Sequence, residues 1–149
     1  MATTLSTDQL RAAAETLPRV RLAHLPTPLE PTDRFARALN GPRVFIKRDD
    51  CTGMAMGGNK TRHNEFLLGE ALRQKADVLV WGAGVQSNNC RQTAAACAKL
   101  GLEIRLFLSR AAHNDDVQGR LPLGHLLGAK GAIVDLPLGP ELDDLLLRE

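Results

Sequence analysis

Apolar and polar positions alternate most regularly in the second half of the chain. Three short apolar runs there have the length and composition of buried strands: residues 77–81, 103–108 and 132–136. Their starts lie about 26 to 28 residues apart, close to the roughly 30 residues that a strand, a crossover helix and a parallel strand need. We therefore predict an α/β fold in which helices flank a parallel sheet.

Segments with helical ends separate these runs. Asn59 is placed to cap a helix in which Leu68, Ala71 and Leu72 share one face. Three further helices are predicted, the second of them weakened by an internal glycine and proline: residues 87–101, 116–128 and 140–149. The last pattern has no C-cap, so the chain is predicted to end within an amphipathic helix.

The N-terminal part of the chain is less regular. Ser6 and Gln9 form a capping-box pattern that predicts a helix running to Glu15. Three closely spaced prolines then predict a rigid, extended path: Pro26, Pro28 and Pro31. A short helix that Gly41 terminates and a strand at 44–47 complete this part.

Composition excludes several classes of function. The formal net charge is +2, from 19 basic and 17 acidic residues, and aromatic residues make up only 3%. We therefore predict no nucleic-acid partner, because neither a basic surface nor base-stacking platforms are present. No apolar run approaches the roughly 20 residues that span a bilayer, and the N-terminus lacks the pattern of a secretory signal. We predict no association with a membrane.

The three cysteines are sparse and odd in number, which is typical of a reducing cytoplasm. Cys90 and Cys97 lie seven residues apart on a predicted helix and share a face. Since no histidine or cysteine lies nearby at ligand spacing, we predict two small buried apolar residues and no metal site. The pair Asp49 and Asp50 is interpreted as a solvated loop and not as a catalytic carboxylate pair.

The segment GGNKT at residues 57–61 is the first candidate for chemistry. Its glycines allow a positive φ or a close approach to the backbone. A lysine held beside them is either a phosphate anchor or a nucleophile. A nucleotide-binding P-loop fits poorly, because Asn59 precedes Lys60 where that motif has glycine. A surface lysine after a turn remains an alternative.

The segment VWGAGVQSNN at residues 80–89 is the second candidate, because it follows a predicted buried strand and opens a helix. It nearly matches the dinucleotide fingerprint, but Ser87 replaces the third glycine and no acidic residue ends the next strand. A polar helix N-terminus remains, which suits a carboxylate or a phosphate. Its side chains exceed what an N-cap needs: Gln86, Ser87, Asn88 and Asn89.

These two segments, in this order and together with LPTPLEP and FIKRDD, resemble the pyridoxal-phosphate (PLP) enzymes of the tryptophan-synthase β fold. Within that fold they resemble the D-cysteine desulfhydrase and aminocyclopropane-carboxylate deaminase branch. The resemblance implies that residues 1–58 belong to a large PLP-binding domain and residues 59–149 to a small three-layer α/β/α domain. Since family members are roughly twice as long, the large domain should be incomplete and should expose apolar surface.

The resemblance also implies a cofactor and the residues that bind it. Lys60 would form the Schiff base with PLP, and the neighbouring glycines would let the ring approach the backbone. Asn59 would lie beside the cofactor, and Asn88 would hydrogen-bond its ring hydroxyl. His63 stands where family members usually have a lysine near the phosphate, so phosphate binding is expected to be altered there.

The substrate residues implied by the resemblance come from the second segment. Ser87 would meet the substrate carboxylate or assist proton transfer, and Gln86, Asn88 and Asn89 would complete a carboxylate site. Asn89 stands where desulfhydrases often have histidine, which points to a change of substrate.

The leading hypothesis is a D-cysteine desulfhydrase-type elimination that yields pyruvate, ammonia and sulfide, carried out by a homodimer in its full-length form. Aminocyclopropane-carboxylate deaminase and cysteate sulfo-lyase remain alternatives. The rest of a family member normally supplies a glycine-rich phosphate loop and an active-site tyrosine, and this sequence has no tyrosine. A second class of hypothesis is therefore an inactive remnant or a half-enzyme that needs a separate C-terminal half. The weakest alternative is a generic anion-binding Rossmann-like domain.

Overall fold

The computed structural model describes residues 4–110 and 120–149, which form six α-helices, five strands and two short 3-10 segments. The helices are α1 (Thr7–Glu15), α2 (Asp33–Ala38), α3 (Lys60–Arg73), α4 (Asn88–Leu100), α5 (Arg120–Leu126) and α6 (Pro140–Leu146). The strands are β1 (Leu29–Pro31), β2 (Phe45–Lys47), β3 (Val78–Gly84), β4 (Glu103–Ser109) and β5 (Lys130–Val134).

The central sheet has three parallel strands in the order β3-β4-β5. Its register pairs Val78 with Glu103 and Arg105 with Lys130. This arrangement confirms the predicted α/β fold with a parallel sheet. The third strand begins at Lys130 and ends at Val134, two residues earlier at each end than the apolar run indicated. Of the predicted helix at 116–128, residues 116–119 lie outside the described part of the chain.

Helices cover both faces of this sheet. Successive residues of a strand point to opposite faces, and on β4 the buried side chains of Ile104, Leu106 and Leu108 pack in one core cluster with residues of α4. Phe107 points the other way, and its register partner is Gly82. A Cβ on Gly82 would lie 2.9 Å from Leu146 of α6. The two faces are therefore covered by α4 and α6, respectively.

Helix α4 packs closely on the sheet because its buried face is small. Ala94, Ala96 and Cys97 are completely inaccessible to solvent, and Cys90 is nearly so. Burial raises the pKa of the Cys97 thiol to about 11, so that this thiol stays protonated at neutral pH. The prediction that Cys90 and Cys97 are small buried residues is confirmed, whereas Cys51 is exposed.

Helix α3 departs from its predicted apolar face. Leu68 is fully buried, but Leu72 is 39% exposed. The buried positions follow an i, i+3, i+4, i+7, i+8 pattern that is mostly polar: Thr61, Asn64, Glu65, Leu68 and Gly69. The prediction for Leu72 is thus wrong, because the partner of α3 is the polar side of another helix and not an apolar sheet.

The predicted N-cap at Asn59 is also wrong. Asn59 has helical angles (φ −64°, ψ −22°), and its side chain caps no backbone N–H. The Thr61 N–H instead donates to Gln92 Oε1 of α4 at 2.8 Å. A group from a neighbouring helix therefore satisfies the donor that a local cap would otherwise serve.

One buried carboxylate ties the N-terminal segment to α3. Glu65 is 1% exposed and accepts hydrogen bonds from the backbone N–H groups of Leu22 and Ala23, each at 2.9 Å. Arg19 donates to its other oxygen from two nitrogens, at 2.8 and 2.5 Å. Burial alone would raise the pKa of Glu65, but these donors outweigh it and hold the pKa below its ordinary value.

Most of the remaining N-terminal structure follows its predictions, but Gly41 does not terminate α2: the helix ends at Ala38, and Asn40 takes the left-handed conformation (φ +46°) that ends it, which an asparagine tolerates. Ser6 and Gln9 form both hydrogen bonds of the capping box. β1 and β2 pair as a separate antiparallel ribbon. The expected exposed apolar surface is present on this part of the chain: Leu25, Leu29, Phe35, Leu39, Phe45 and Ile46.

Two further features concern the helices. α6 ends at Leu146, so the prediction that the chain ends within this helix is wrong. Among the described residues, no helix is long and apolar enough to cross a membrane.

The predicted division into two domains at residues 58 and 59 stays a prediction.

We expect Glu65→Gln to lower the free energy of unfolding by about 2 to 4 kcal/mol, because the amide cannot accept all of these hydrogen bonds. Since the pKa of Glu65 is lowered by folding, the carboxylate's contribution is present above its unfolded pKa of about 4.3 and is lost as the pH falls through its folded pKa. The difference between wild type and variant in urea unfolding should therefore shrink on acidification.

Glu70→Gln is the matched control, since Glu70 lies on the same helix and pairs with Arg73 on the surface. Its effect on unfolding should be much smaller at every pH. Equal losses for the two variants would contradict the anchoring role of Glu65.

Candidate functional site

The loop that precedes Lys60 has a shape only glycine can adopt. Gly57 has φ +72° and Gly58 has φ +133°. A Cβ on Gly57 would lie 1.7 Å from the carbonyl oxygen of Asp50, and one on Gly58 would lie 2.4 Å from Gln92 Nε2. The resemblance assigned these glycines to the approach of a cofactor ring. In the structure, protein atoms already occupy the space that their side chains would need, so packing within the chain accounts for both.

Thr52 fixes this loop from inside. Its side chain is fully buried, and its Oγ1 accepts from the Gly58 N–H at 3.0 Å. The same oxygen lies 2.9 Å from the Gly58 carbonyl and 3.0 Å from the Asp49 carbonyl. The Gly58 N–H also donates to the Asp49 carbonyl at 2.8 Å. Hydrogen bonds to both the N–H and the carbonyl of Gly58 therefore fix the loop before α3 begins.

Asp49 ties the same region to α3. Its two oxygens accept from Arg62 Nη2 at 2.8 Å and Nε at 3.0 Å, and one of them accepts from Thr27 Oγ1 at 3.0 Å. The Arg62 guanidinium holds the pKa of Asp49 below its ordinary value. Asp49 thus stays partly exposed but is held in an ion pair within the chain, whereas the exposed Asp50 pairs with Arg48 on the surface.

A row of buried polar side chains joins α3 to α4, and we call it the polar seam: Thr61, Asn64, Gln92 and Thr93. Gln92 Oε1 accepts from both the backbone N–H and the hydroxyl of Thr61, each at 2.8 Å. Asn64 Nδ2 donates to Thr93 Oγ1 at 3.1 Å. Because each of these buried groups has a partner, the seam fixes the register between the two helices.

The first turn of α4 keeps donors available. Ser87 is its N-cap, and the Ser87 Oγ accepts from the Cys90 N–H at 3.2 Å. The backbone N–H groups of Asn88 and Asn89 have no acceptor among the described residues. Asn89 Oδ1 accepts from Thr93 Oγ1 at 3.3 Å. This turn thus combines a hydroxyl, two amide side chains and two open N–H groups with the positive end of a 13-residue helix.

Arg91 joins this turn directly to the lysine loop. Its Nη2 donates to the Gly57 carbonyl at 3.1 Å and also to Asn88 Oδ1. Gln92 Nε2 donates to the Asn88 carbonyl at 3.3 Å. A Cβ on Gly58 would lie 3.0 Å from Asn88 Nδ2, so the two candidate segments are in contact.

Arg91 and Gln92 are not among the predicted site residues, although the sequence contains a signal for them. They lie three and four residues after Asn88, on the helical positions that follow it on the same side. Both are buried in a helix whose other buried residues are mostly alanine, cysteine and threonine. A large polar pair at the start of such a helix indicates partners on another element.

Only some of the predicted site residues lie where the lysine loop meets the first turn of α4. Lys60 is half-buried and is the first residue of α3, while Gln86, Ser87, Asn88 and Asn89 form the half-buried approach to α4. Asn59 is exposed and makes no cap. His63 is exposed, and its ring lies against Trp81 of β3 with centroids 6.2 Å apart. Within residues 4–110 and 120–149, no three histidine, cysteine or acidic side chains converge as a metal site would require.

The chain is similar in sequence and in fold to known proteins. A family described as pyridoxal-phosphate-dependent enzymes matches residues 20–144. The chain is similar to the crystal structure of an ACC deaminase homologue, with 34% identity and a TM-score of 0.83 over 92% of this chain and 41% of that one. It is also similar to two structures of diaminopropionate ammonia lyase from Escherichia coli.

The first of those two structures, a holoenzyme, has 16% identity and a TM-score of 0.68 over 96% of this chain and 39% of that one. The second, in complex with an aminoacrylate–PLP azomethine intermediate, has 18% identity and a TM-score of 0.66, with 96% and 37% covered. At these identities the likeness concerns the fold alone. The chain spans between 37% and 41% of the length of the solved structures that it matches.

We expect Gly57→Ala to destabilise the protein by at least about 2 kcal/mol, because the variant combines a left-handed backbone with a clash against backbone. Two control glycines separate these causes. Gly84 has neither feature, and Gly101 has φ +73° with open space around it. Urea unfolding should rank the losses as Gly57→Ala above Gly101→Ala above Gly84→Ala. An equal loss at positions 57 and 101 would contradict the steric argument.

Proposed function

The chain belongs to the family of pyridoxal-phosphate-dependent enzymes, and from this premise we propose that the protein is a lyase or deaminase of small amino acids with Lys60 as its cofactor-binding lysine. One observation carries the proposal. The loop that presents Lys60 and the polar turn at Ser87 to Asn89 are held together by Arg91 and Gln92. Two segments that lie far apart in the sequence thereby form one site.

The residues present at this contact fit PLP chemically. Lys60 offers an amine for the aldehyde, and the Asn88 side chain offers an N–H donor for the ring hydroxyl. The open N–H groups at the start of α4 suit a carboxylate. When bound, PLP supplies an electron sink for the carbanion that forms at the substrate's α-carbon.

The protein's own groups would position the reactants. Thr52, Gly57 and Gly58 place Lys60 at the first turn of α3, so its amine starts from a fixed backbone position. The Ser87 Oγ accepts from the Cys90 N–H at the start of α4, and its hydroxyl would serve as a donor to a carboxylate oxygen. Gln86 and Asn89 would add side-chain donors around the same carboxylate.

His63 and Asn59 have a weaker place in this proposal. Both are exposed, and the contact of the His63 ring is with Trp81. We propose that both lie at the periphery of the cofactor, where His63 would meet the phosphate as a single donor. The position of His63 one turn after Lys60 is what supports this role.

Within this class we propose a D-cysteine desulfhydrase-type elimination that yields pyruvate, ammonia and sulfide. The order of the motifs supports it, and the 34% identity to an ACC deaminase homologue makes aminocyclopropane-carboxylate the strongest alternative substrate. Cysteate is the third candidate. The homodimer, the cytoplasmic location and the domain division at 58 and 59 stay predictions.

A candidate of another class is a half-enzyme that needs a further segment for activity. Two observations favour it: the chain spans 37% to 41% of the three solved structures described above, and the ribbon of β1 and β2 exposes Leu29, Phe45 and Ile46. In this reading the site residues keep their places, but catalysis needs a covering segment.

We expect the purified chain to give a visible absorption band with PLP that survives dialysis and is absent in Lys60→Ala. Borohydride reduction followed by peptide mass mapping should place the added cofactor mass on Lys60. Lys99→Ala is the control, because Lys99 lies in the last turn of α4, away from the loop. A mass on several surface lysines, with no change in Lys60→Ala, would contradict the assignment.

We expect the protein, in its longest natural form, to release keto acid and ammonia from one of three substrates: D-cysteine, aminocyclopropane-carboxylate or cysteate. Sulfide from D-cysteine identifies the desulfhydrase reaction, and 2-oxobutyrate in place of pyruvate identifies the deaminase. Ser87→Ala should lower the rate by about 10- to 1000-fold if its hydroxyl acts in the reaction. No keto acid from any of the three would overturn the proposed activity and favour the half-enzyme.

A further inference from the structure

Arg91 occupies an unusual place for an arginine. Its side chain lies on α4 and is 5% exposed. One nitrogen, Nη2, faces two acceptors that belong to different segments: the carbonyl of Gly57 in the lysine loop and Oδ1 of Asn88 in the first turn of α4. A buried guanidinium is costly unless it is well partnered. The buried guanidinium of Arg91 lies at the junction of the two segments, and an acceptor from each segment partners it.

The contact determines which way the Asn88 side chain faces. A carboxamide can rotate by half a turn and exchange its oxygen for its NH2 group. A guanidinium only donates hydrogen bonds and stays charged at every pH that the protein experiences. The atom of Asn88 that meets Arg91 must therefore be Oδ1, and Nδ2 must face away from it. Nδ2 then lies beside Gly58, two residues before Lys60.

We propose that Arg91 is a positioning residue that holds the Asn88 amide with its NH2 group directed at the ring oxygen of the cofactor, and that its contact with the Gly57 carbonyl fixes the guanidinium in place for this role. The proposal rests on the proposed function, since it concerns the same site. It adds that the buried charge of Arg91 fixes which atom of Asn88 faces the ring oxygen, and that this orientation does not change with pH.

Lysine could not replace arginine here. Both contacts are made by one nitrogen, Nη2, which the planar guanidinium holds in a fixed orientation, whereas an ammonium rotates on a flexible stem. Arg91→Lys should keep the buried charge and lose the fixed geometry. The variant Arg91→Met keeps most of the aliphatic stem and removes the contacts with Gly57 and Asn88.

A double-mutant cycle tests the coupling. Arg91→Met and Asn88→Ala should each weaken PLP binding, followed by the visible band, by about 10-fold. The double variant should be no weaker than Asn88→Ala within about 2-fold, because Arg91 acts through Asn88. Independent losses that multiply to about 100-fold would overturn the proposal. Arg73→Met, in the surface pair with Glu70, should bind PLP like the wild type.

A second measurement needs no cofactor. In ¹⁵N NMR spectra of the chain alone, the Asn88 side-chain amide, assigned by its loss in Asn88→Ala, should be ordered in the wild type and mobile in Arg91→Met. An unchanged amide would overturn the proposal even if the affinity falls. If Arg91→Met does not fold in urea titrations, Arg91→Lys takes its place and should give the same mobility. Failure of the wild type to bind PLP would instead contradict the proposed function, and the NMR result would still decide the role of Arg91.

Discussion

The polar seam between α3 and α4 is the constraint on which the candidate site depends. Thr61, Asn64, Gln92 and Thr93 are all fully buried, and each has a hydrogen-bond partner on the opposite helix. Hydrogen bonds in such surroundings are directional and costly to leave unmade. Sliding α3 along α4 by one residue would break all of them at once. The seam therefore fixes where Lys60 begins its helix relative to Ser87.

The sheet supplies what the seam lacks, which is apolar burial. The buried side chains of β4 pack against the small face of α4, and alanine and cysteine at that face let the helix lie close. Hydrophobic burial is not directional, so it sets the distance of α4 from the sheet but not its register. Apolar packing thus sets the distance of α4 from the sheet, and the polar seam sets the register between α3 and α4.

The different nature of these two contributions explains which features could be predicted from the sequence. Apolar runs identify strands and their spacing identifies a parallel sheet, because those signals depend on local periodicity. The buried face of α3 has helical periodicity too, but Thr61, Asn64 and Glu65 are polar, and a search for apolar positions selected Leu72 instead. Their partners are long-range: Gln92 and Thr93 of α4 for the first two, and Arg19, Leu22 and Ala23 for Glu65. No local pattern contains that information.

The same reasoning applies to the glycines beside Lys60. The resemblance assigned these glycines to the approach of the cofactor, which stays a prediction. The distances give an independent reason for them, because the Asp50 carbonyl and Gln92 leave no room for a side chain. A loop shaped by protein contacts keeps its shape before any ligand arrives, and such preorganisation lowers the cost of binding. Because Arg91 extends this scaffold to the Asn88 amide, the amine and the ring-oxygen donor are positioned by one connected set of contacts within the chain.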